Sequence, residues 1–284
     1  MDNDFDGDAK ADIHWRNDDQ NQIWLMDGNT LTTQSDIDNL DTAWTAVGNG
    51  DFNGDGKADL LYRDGSQYQL WEIDGTTVVN TFNISSLDAS WSIGGLGDFD
   101  GDGDDDIVLR NGNANRILEI QDFDQVGVIT LNNFNSAWSI VGVGDTDADG
   151  DDDIVWRKNN ANRLWEMEDN ARVNVINIGG FNSSWSVVGL GDTDADGDED
   201  IVWRRNNANR IWEMEDNARV GKPINIGGFN SAWQVKDVED YDGDGDDDIL
   251  WRNGNKNKIW ALENNAVASK TNSNTLDSAW ELIG

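Results

Sequence analysis

One acidic nonapeptide followed by a strand-like apolar run returns six times along this chain. The copies start at Asp4, Asp51, Asp98, Asp145, Asp192 and Asp240, 47 residues apart with one step of 48. A fixed period of this size restricts the fold to a solenoid, a propeller or a similar array. Each unit holds four short β-like segments and no sustained helical period. In the fourth copy they are WSIVGVG (138–144), DIVWR (153–157), RLWEME (163–168) and RVNVINI (172–178). Asp169-Asn170 stands where other copies carry Asp27-Gly28 and Asp74-Gly75, a tight hairpin signal. The extra residue of the 48-residue step lies in RVGKPINI with the only proline, Pro223, and predicts a local bulge or longer turn.

Four antiparallel strands in 40–50 residues make a propeller blade. The spacing therefore predicts an all-β, six-bladed β-propeller as one domain over residues 1–284, with repeats 4–50, 51–97, 98–144, 145–191, 192–239 and 240–284. The first segment of each unit is Gly-rich (SIGGLG, SVVGLG), which suits the crowded axis. A linear stack is disfavoured because neither end reads as a polar capping repeat. The chain starts at an acidic loop and ends in SAWELIG, a first segment without its loop. Residues 280–284 are thus expected to close the ring as the inner strand of the first blade, leaving no open ring edge.

The formal charge is −36, from 56 acidic and 20 basic residues. That excludes ordinary electrostatic binding to nucleic acid or anionic membranes, which needs a basic face. Fifteen Trp and many β-branched residues argue against disorder. With no Cys, the fold has no disulfides, so an extracellular version needs another staple such as a metal. No apolar run approaches the roughly 20 residues of a membrane span. The acidic start MDNDFDGDAK is no signal peptide, and the chain reads as a piece of a longer, secreted or cell-surface protein. A monomer is expected.

In the copy DTDADGDDD, six carboxylates share nine residues, and packed like charges need neutralising. Alternate side chains of a tight loop turn toward one centre. Position one holds Asp4, Asp51, Asp98, Asp145, Asp192 and Asp240. Position three holds Asp6, Asn53, Asp100, Asp147, Asp194 and Asp242. Position five holds Asp8, Asp55, Asp102, Asp149, Asp196 and Asp244, and position nine holds Asp12, Asp59, Asp106, Asp153, Asp200 and Asp248. The seventh residue (Lys10, Lys57, Asp104, Asp151, Asp198 or Asp246) would offer its carbonyl, and Gly at six would permit the turn. Hard oxygen donors in a flexible loop suit Ca²⁺ better than Mg²⁺, and the absence of Cys argues against zinc or copper. Six Ca²⁺ would bring the net charge from −36 to −24. The loop opens like an EF-hand, but the Glu expected at twelve is replaced by Trp, Tyr or Leu and a strand follows. Asn53, and Ala9 in place of Gly at six, predict that the first two sites are weakest, a left-handed Ala costing on the order of 1 kcal/mol.

GDFNGDGKADLLYR (50–63) and its five counterparts resemble FG-GAP/VCBS repeats, the units of integrin-alpha-type propellers and of many bacterial surface proteins. The resemblance covers essentially the whole chain. It implies that the loop joins the two inner strands and binds Ca²⁺. Its members include adhesion receptors, lectins and accessory domains of enzymes and toxins.

Trp opens every unit at 44, 91, 138, 185, 233 and 280, and recurs in the second and third segments. These rings are read as wedge fillers between blades, with sugar platforms as the alternative. An Arg follows the second-strand aromatic in every copy (Arg16, Arg63, Arg110, Arg157, Arg204, Arg252) and is expected to pair with acids or carbonyls of its own or the next blade. His14 stands where other copies have Val or Leu, and reads as a tolerated edge position. No nucleophilic triad can be argued, and six-fold repetition disfavours a glycosidase pair. The reading is a non-enzymatic, calcium-stabilised propeller for extracellular recognition of a glycan or a protein. A ligand-free, designed or recently amplified scaffold is the alternative, and an accessory domain of a secreted enzyme the third reading.

Overall fold

A computed structural model describes residues 3–84 and 88–283. Six four-stranded antiparallel sheets are arranged as the blades of a β-propeller, and no helix occurs among the described residues. In the second blade the order from the axis outward is Thr45–Gly50, Asp59–Asp64, Gln67–Asp74 and Thr77–Ile84. Ser92–Gly97, Ser139–Gly144, Ser186–Gly191 and Gln234–Glu239 follow one another around the axis as inner strands. The Gly-rich pattern has a direct cause there. A Cβ on Gly48 would lie 2.9 Å from Leu96 Cδ1, and one on Gly95 2.5 Å from Val143 Cγ2. Gly142 and Gly189 receive Leu190 and Val238 in the same way.

The ring closes as expected. Glu281–Ile283 pairs with Ile13–Asn17 in the register Arg16↔Glu281 and His14↔Ile283. Asn3 carries this strand on from the other end of the chain, its carbonyl accepting from Asp12 N at 2.7 Å. Gly284, the last residue of the expected strand, lies outside the described residues.

The outer half of the last three blades departs from the sequence reading. Residues 172–178 are not one strand. The third strand stops at Trp165, and a two-residue ribbon, Met167–Glu168 with Ala171–Arg172, precedes the outer strand Ile176–Gly180. The Glu166 carbonyl leaves the ladder and accepts from Val173 N at 2.9 Å and Asn174 N at 3.4 Å. In the first three blades the third and outer strands run eight residues each. Pro223 follows a bend at Gly221 and Lys222, so the added residue is absorbed as a longer connection.

Each apolar cluster lies in a seam between two blades. Phe99, Val108 and Ile117 of the third blade pack with Trp156, Trp165 and Met167 of the fourth. The second- and third-strand Trp residues are buried as tilted pairs, with Trp156 and Trp165 centroids 4.7 Å apart. Leu109 and Leu118 fill the same places in the third blade. The Arg residues lock these seams through carbonyls rather than carboxylates. Arg157 donates from Nη1 to Asn162 Oδ1 (2.8 Å) and from Nη2 to the carbonyls of Phe181, Asn182 and Trp185. Its guanidinium lies 4.6 Å from the ring centroid of Trp203 in the next blade. Arg252 repeats this over Trp15 at 4.5 Å, across the ring closure. Arg63 is the exception. Leu109 follows it in the next blade, and it turns to its own Tyr68 and to the carbonyls of Gly65 and Trp91.

Arg157→Ala is therefore expected to cost about 2–3 kcal/mol in urea unfolding, from lost charged hydrogen bonds and ring stacking. Arg63→Ala should cost about half as much. Equal losses would contradict a lock that depends on the next blade's aromatic ring.

Candidate functional site: the acidic loops

The six loops share one backbone shape, set by the first Asp. Asp4 Oδ1 accepts from the amides of Asp6, Gly7 and Asp8 at 3.2, 2.7 and 3.3 Å, and Oδ2 from Ala9 N at 2.8 Å. Asp240 accepts in the same manner from Asp242, Gly243 and Gly245. These bonds wrap the chain around one carboxylate and require left-handed φ at position four as well as six. Position four is Gly7 (76°), Gly54, Gly101 or Gly243, but Ala148 (54°) and Ala195 (57°) in the fourth and fifth loops. The expectation that Ala9 singles out the first loop is corrected here. The fourth and fifth loops carry the same kind of strain, two positions earlier.

Positions one, three and five converge. Their carboxylate oxygens lie within 4.8 Å of one another in the triads Asp4, Asp6, Asp8; Asp98, Asp100, Asp102; Asp145, Asp147, Asp149; and Asp192, Asp194, Asp196. In the sixth loop the triad is Asp240, Asp242 and Asp248, bringing in position nine. In the second loop Asn53 Oδ1 accepts from Asp55 N at 3.1 Å. Crowding raises the position-three carboxyls. Burial, then the neighbouring carboxylates at five and one, push Asp100, Asp147 and Asp194 up to about 6, and Asp6 and Asp242 in the same direction.

Position nine has a structural task that spacing alone does not reveal. Oδ1 of Asp12, Asp59, Asp106, Asp153, Asp200 and Asp248 accepts from an amide 14 residues on, in the third strand of the first three blades and in the two-residue ribbon of the last three, at 2.7–2.9 Å. All six are 1% exposed. Burial pushes five of them up to about 8 and Asp200 to about 7. The second oxygen differs between loops. Phe5 N and Phe52 N bond Asp12 and Asp59, and the hydroxyls of Thr146 and Thr193 meet Asp153 and Asp200. Oδ2 of Asp106 and of Asp248 has no hydrogen-bond partner among the described residues. Position-seven side chains turn away, to the hairpin of their own blade. Lys10 and Lys57 reach Asp27 and Asp74 at 2.7 Å, while Asp104, Asp151, Asp198 and Asp246 accept amides of the matching turns.

The loops also join the blades. The position-eight amide donates to the position-one carbonyl of the preceding loop in all six places: Ala58 to Asp4, Asp105 to Asp51, Asp152 to Asp98, Glu199 to Asp145, Asp247 to Asp192 and Ala11 to Asp240, at 2.5–2.7 Å. A second ring runs from the hairpin tips (Gly28, Gly75, Phe123, Asn170, Asn217, Asn265) to the position-two carbonyls of the preceding loops, at 2.7–3.0 Å. Sequence reasoning missed both rings. The signal for the second was the tip residue itself, Gly or Asn in five copies, types that accept left-handed φ.

His14 is not an edge position. It lies in the second strand of the first blade, fully buried, with Nε2 3.4 Å from both Asn21 Oδ1 and Tyr62 Oη of the next blade. Burial lowers its pKa to about 4, so it is neutral at physiological pH.

A model of the FG-GAP-like repeat matches residues 4–62, 51–109, 98–156 and 192–251. No curated protein matches the chain. Among solved structures it is similar to an Agrocybe aegerita lectin that recognises non-reducing terminal N-acetylglucosamine (13% identity, 97% of this chain and 95% of the lectin chain, TM-score 0.68). It is also similar to a chain of the nidogen/laminin complex (13% identity, 96% of each chain, TM-score 0.62). A chain of the Photorhabdus luminescens Tc holotoxin pore matches at 18% identity and TM-score 0.57 over 98% of this chain, which spans 13% of the toxin chain. At these identities the likeness concerns the fold.

The position-nine carboxyls give a pH dependence whose sign follows from their raised values. In cation-free solution their neutral form favours the folded state. That contribution is whole below the unfolded value of about 3.9 and is lost as pH rises through about 7 to 8. Chelated protein should therefore melt at lower temperature near pH 8 than near pH 5. A melting temperature that climbs over this window would contradict the burial assigned to Asp12, Asp59, Asp106, Asp153, Asp200 and Asp248.

Proposed function

Because the chain belongs to the FG-GAP-like repeat family, we propose that it is a non-catalytic, calcium-stabilised propeller that recognises a ligand outside the cell. The observation that carries the calcium reading is Asp248. Its Oδ2 is buried and without a donor among the described residues, and the residue contributes to the oxygen cluster with Asp240 and Asp242. An unpartnered buried carboxylate oxygen is costly unless a cation meets it. Carboxylates at one, three and five, with nine behind them, are hard donors of the kind Ca²⁺ takes, and bound Ca²⁺ would supply the charge that the loops lack. Calcium would thus act on the fold and not on a substrate.

Extracellular modules bind Ca²⁺ with Kd around 10⁻⁴–10⁻³ M, so each site adds about 0.4–1.4 kcal/mol at roughly millimolar calcium. Six such sites would raise the melting temperature of a 284-residue chain by roughly 4–14 °C. Excess EGTA at pH 7.5 should remove this increment and added Ca²⁺ should restore it. An unchanged melt after confirmed metal loss would end the calcium reading. Loaded protein should also lose stability in acid, since the ligands must be ionised.

For the ligand, one groove favours a glycan. It has a volume of about 350 Å³ and includes Arg16, Asp18, Thr42, Trp44 and Glu281, between the first and second blades beside the closing strand. At Trp91, Trp138, Trp185 and Trp233 the opening ring is covered. Phe134, Phe181 and Phe229 stack on Trp138, Trp185 and Trp233, and Arg116, Arg163, Arg210 and Lys258 lie over Trp91, Trp138, Trp185 and Trp233. At Trp44 and Trp280 the corresponding residues are Leu40 with Gln69 and Leu276 with Gln22, and of these two rings Trp44 lines the groove. A half-buried indole beside acids, hydroxyls and an Arg offers a platform and hydrogen bonds to a pyranose. Glycan-array binding that disappears in Trp44→Ala and persists in Trp138→Ala would support this reading. Binding that survives Trp44→Ala would place the ligand elsewhere.

A further inference from the structure

We infer that Asn170, Asn217 and Asn265 are positioning residues that brace the calcium ligands of the preceding blade, dividing the six sites into three braced and three unbraced. The inference rests on the calcium reading above. Each Asn sits at a hairpin tip, 3–5% exposed, with left-handed φ of 59–62°. Its backbone amide already spans the seam to the position-two carbonyl. Its side-chain amide spans the seam again. Asn170 Nδ2 donates to Asp100 Oδ2 and Asn265 Nδ2 to Asp194 Oδ2, both at 2.5 Å, and Asn217 Nδ2 donates to Asp147 Oδ2.

The bond engages one oxygen of each position-three carboxylate and leaves the other for the cluster. In Asp194 that remaining Oδ1 is buried and has no hydrogen-bond partner among the described residues. Two of the braces are themselves held. The Thr146 hydroxyl, with one proton to give, lies 2.5 Å from both Asp153 Oδ2 and Asn217 Oδ1, and Thr193 stands likewise between Asp200 and Asn265. Position nine is thereby linked to position three through the neighbouring blade.

The other three loops lack the brace. Gly28 abuts Asp242, since a Cβ there would lie 3.5 Å from Asp242 Cβ, and Gly75 stands near Asp6 in the same way. Phe123, the tip facing the loop of Asn53, stacks instead on Phe82 with ring centroids 4.4 Å apart. Three like charges held within a few ångströms tend to splay in the empty loop. A donor fixed on another blade holds the middle one in its liganding position. Partners that orient metal ligands typically affect affinity by 10–100-fold.

Gly is native at this tip in two blades, so Asn217→Gly keeps the left-handed turn and the backbone seam bond. Calorimetric titration of the metal-free chain with Ca²⁺ should give two classes of three sites. Replacing all three Asn by Gly should merge them into one weak class, with the metal-free melting temperature little changed. Asn217→Asp, which keeps the shape and loses the donor, should weaken one site by 10–100-fold, and Gly75→Asn should add a fourth tight site. Calcium binding with unchanged affinities in the triple variant would overturn the bracing role and leave the calcium reading intact. No calcium binding by the parent chain would overturn both.

Discussion

The backbone hydrogen bond from the eighth residue of each acidic loop to the first residue of the loop before it is the contact on which this ring depends. It repeats six times and closes from Ala11 to Asp240. With the hairpin-tip ring beside it, it makes every loop part of two blades at once. A propeller has no single core, and here each apolar cluster belongs to a seam. Whatever disturbs a loop therefore disturbs the seam above which it sits. Below the loops the same seam is held by Trp pairs and by an Arg reaching over the next blade's ring.

This arrangement explains why so much negative charge is concentrated where the blades meet. The 31 carboxylates of the six loops are not spread as a solubilising coat. Position one wraps the loop, position nine ties it to the third strand or the ribbon that follows it, position seven ties it to the hairpin, and in the third and fourth blades position eight returns a side-chain bond to the loop before (Asp105 to Asp51 N, Asp152 to Asp98 N). Positions three and five bring their remaining carboxylate oxygens together at the loop centre in four of the loops. Under the calcium reading they are the residues a cation would neutralise, and that would relieve repulsion in two blades together.

Much of this was legible in the sequence because the period is in the sequence. The 47-residue step, the Gly-rich first segment and the truncated ends gave the blade count, the inner strand and the closure by Glu281–Ile283. Position four went unread because Gly and Ala alternate there without changing the motif's look, although the backbone is left-handed in both. The seam partners went unread because they are 54 residues away at position eight and about 70 at the hairpin tips, and meet only when two blades pack side by side. His14 was misread for a related reason: the space it occupies is completed by Tyr62 and Asn21, and only Asn21 is in its own blade. The broken outer strands of the last three blades follow from one diverted carbonyl, a backbone event that alternating side chains do not announce.

If cation binding acts through the seams, the amides that cross them should report it. Hydrogen exchange of Ala11, Ala58, Asp105, Asp152, Glu199 and Asp247, read residue by residue with calcium and with excess chelator, tests this. Chelation should deprotect these six amides well before the second-strand amides of Leu61, Val155 and Val202, which lie within single blades. Unchanged protection at the six, or loss at all nine together, would contradict a ring held at its seams by the acidic loops.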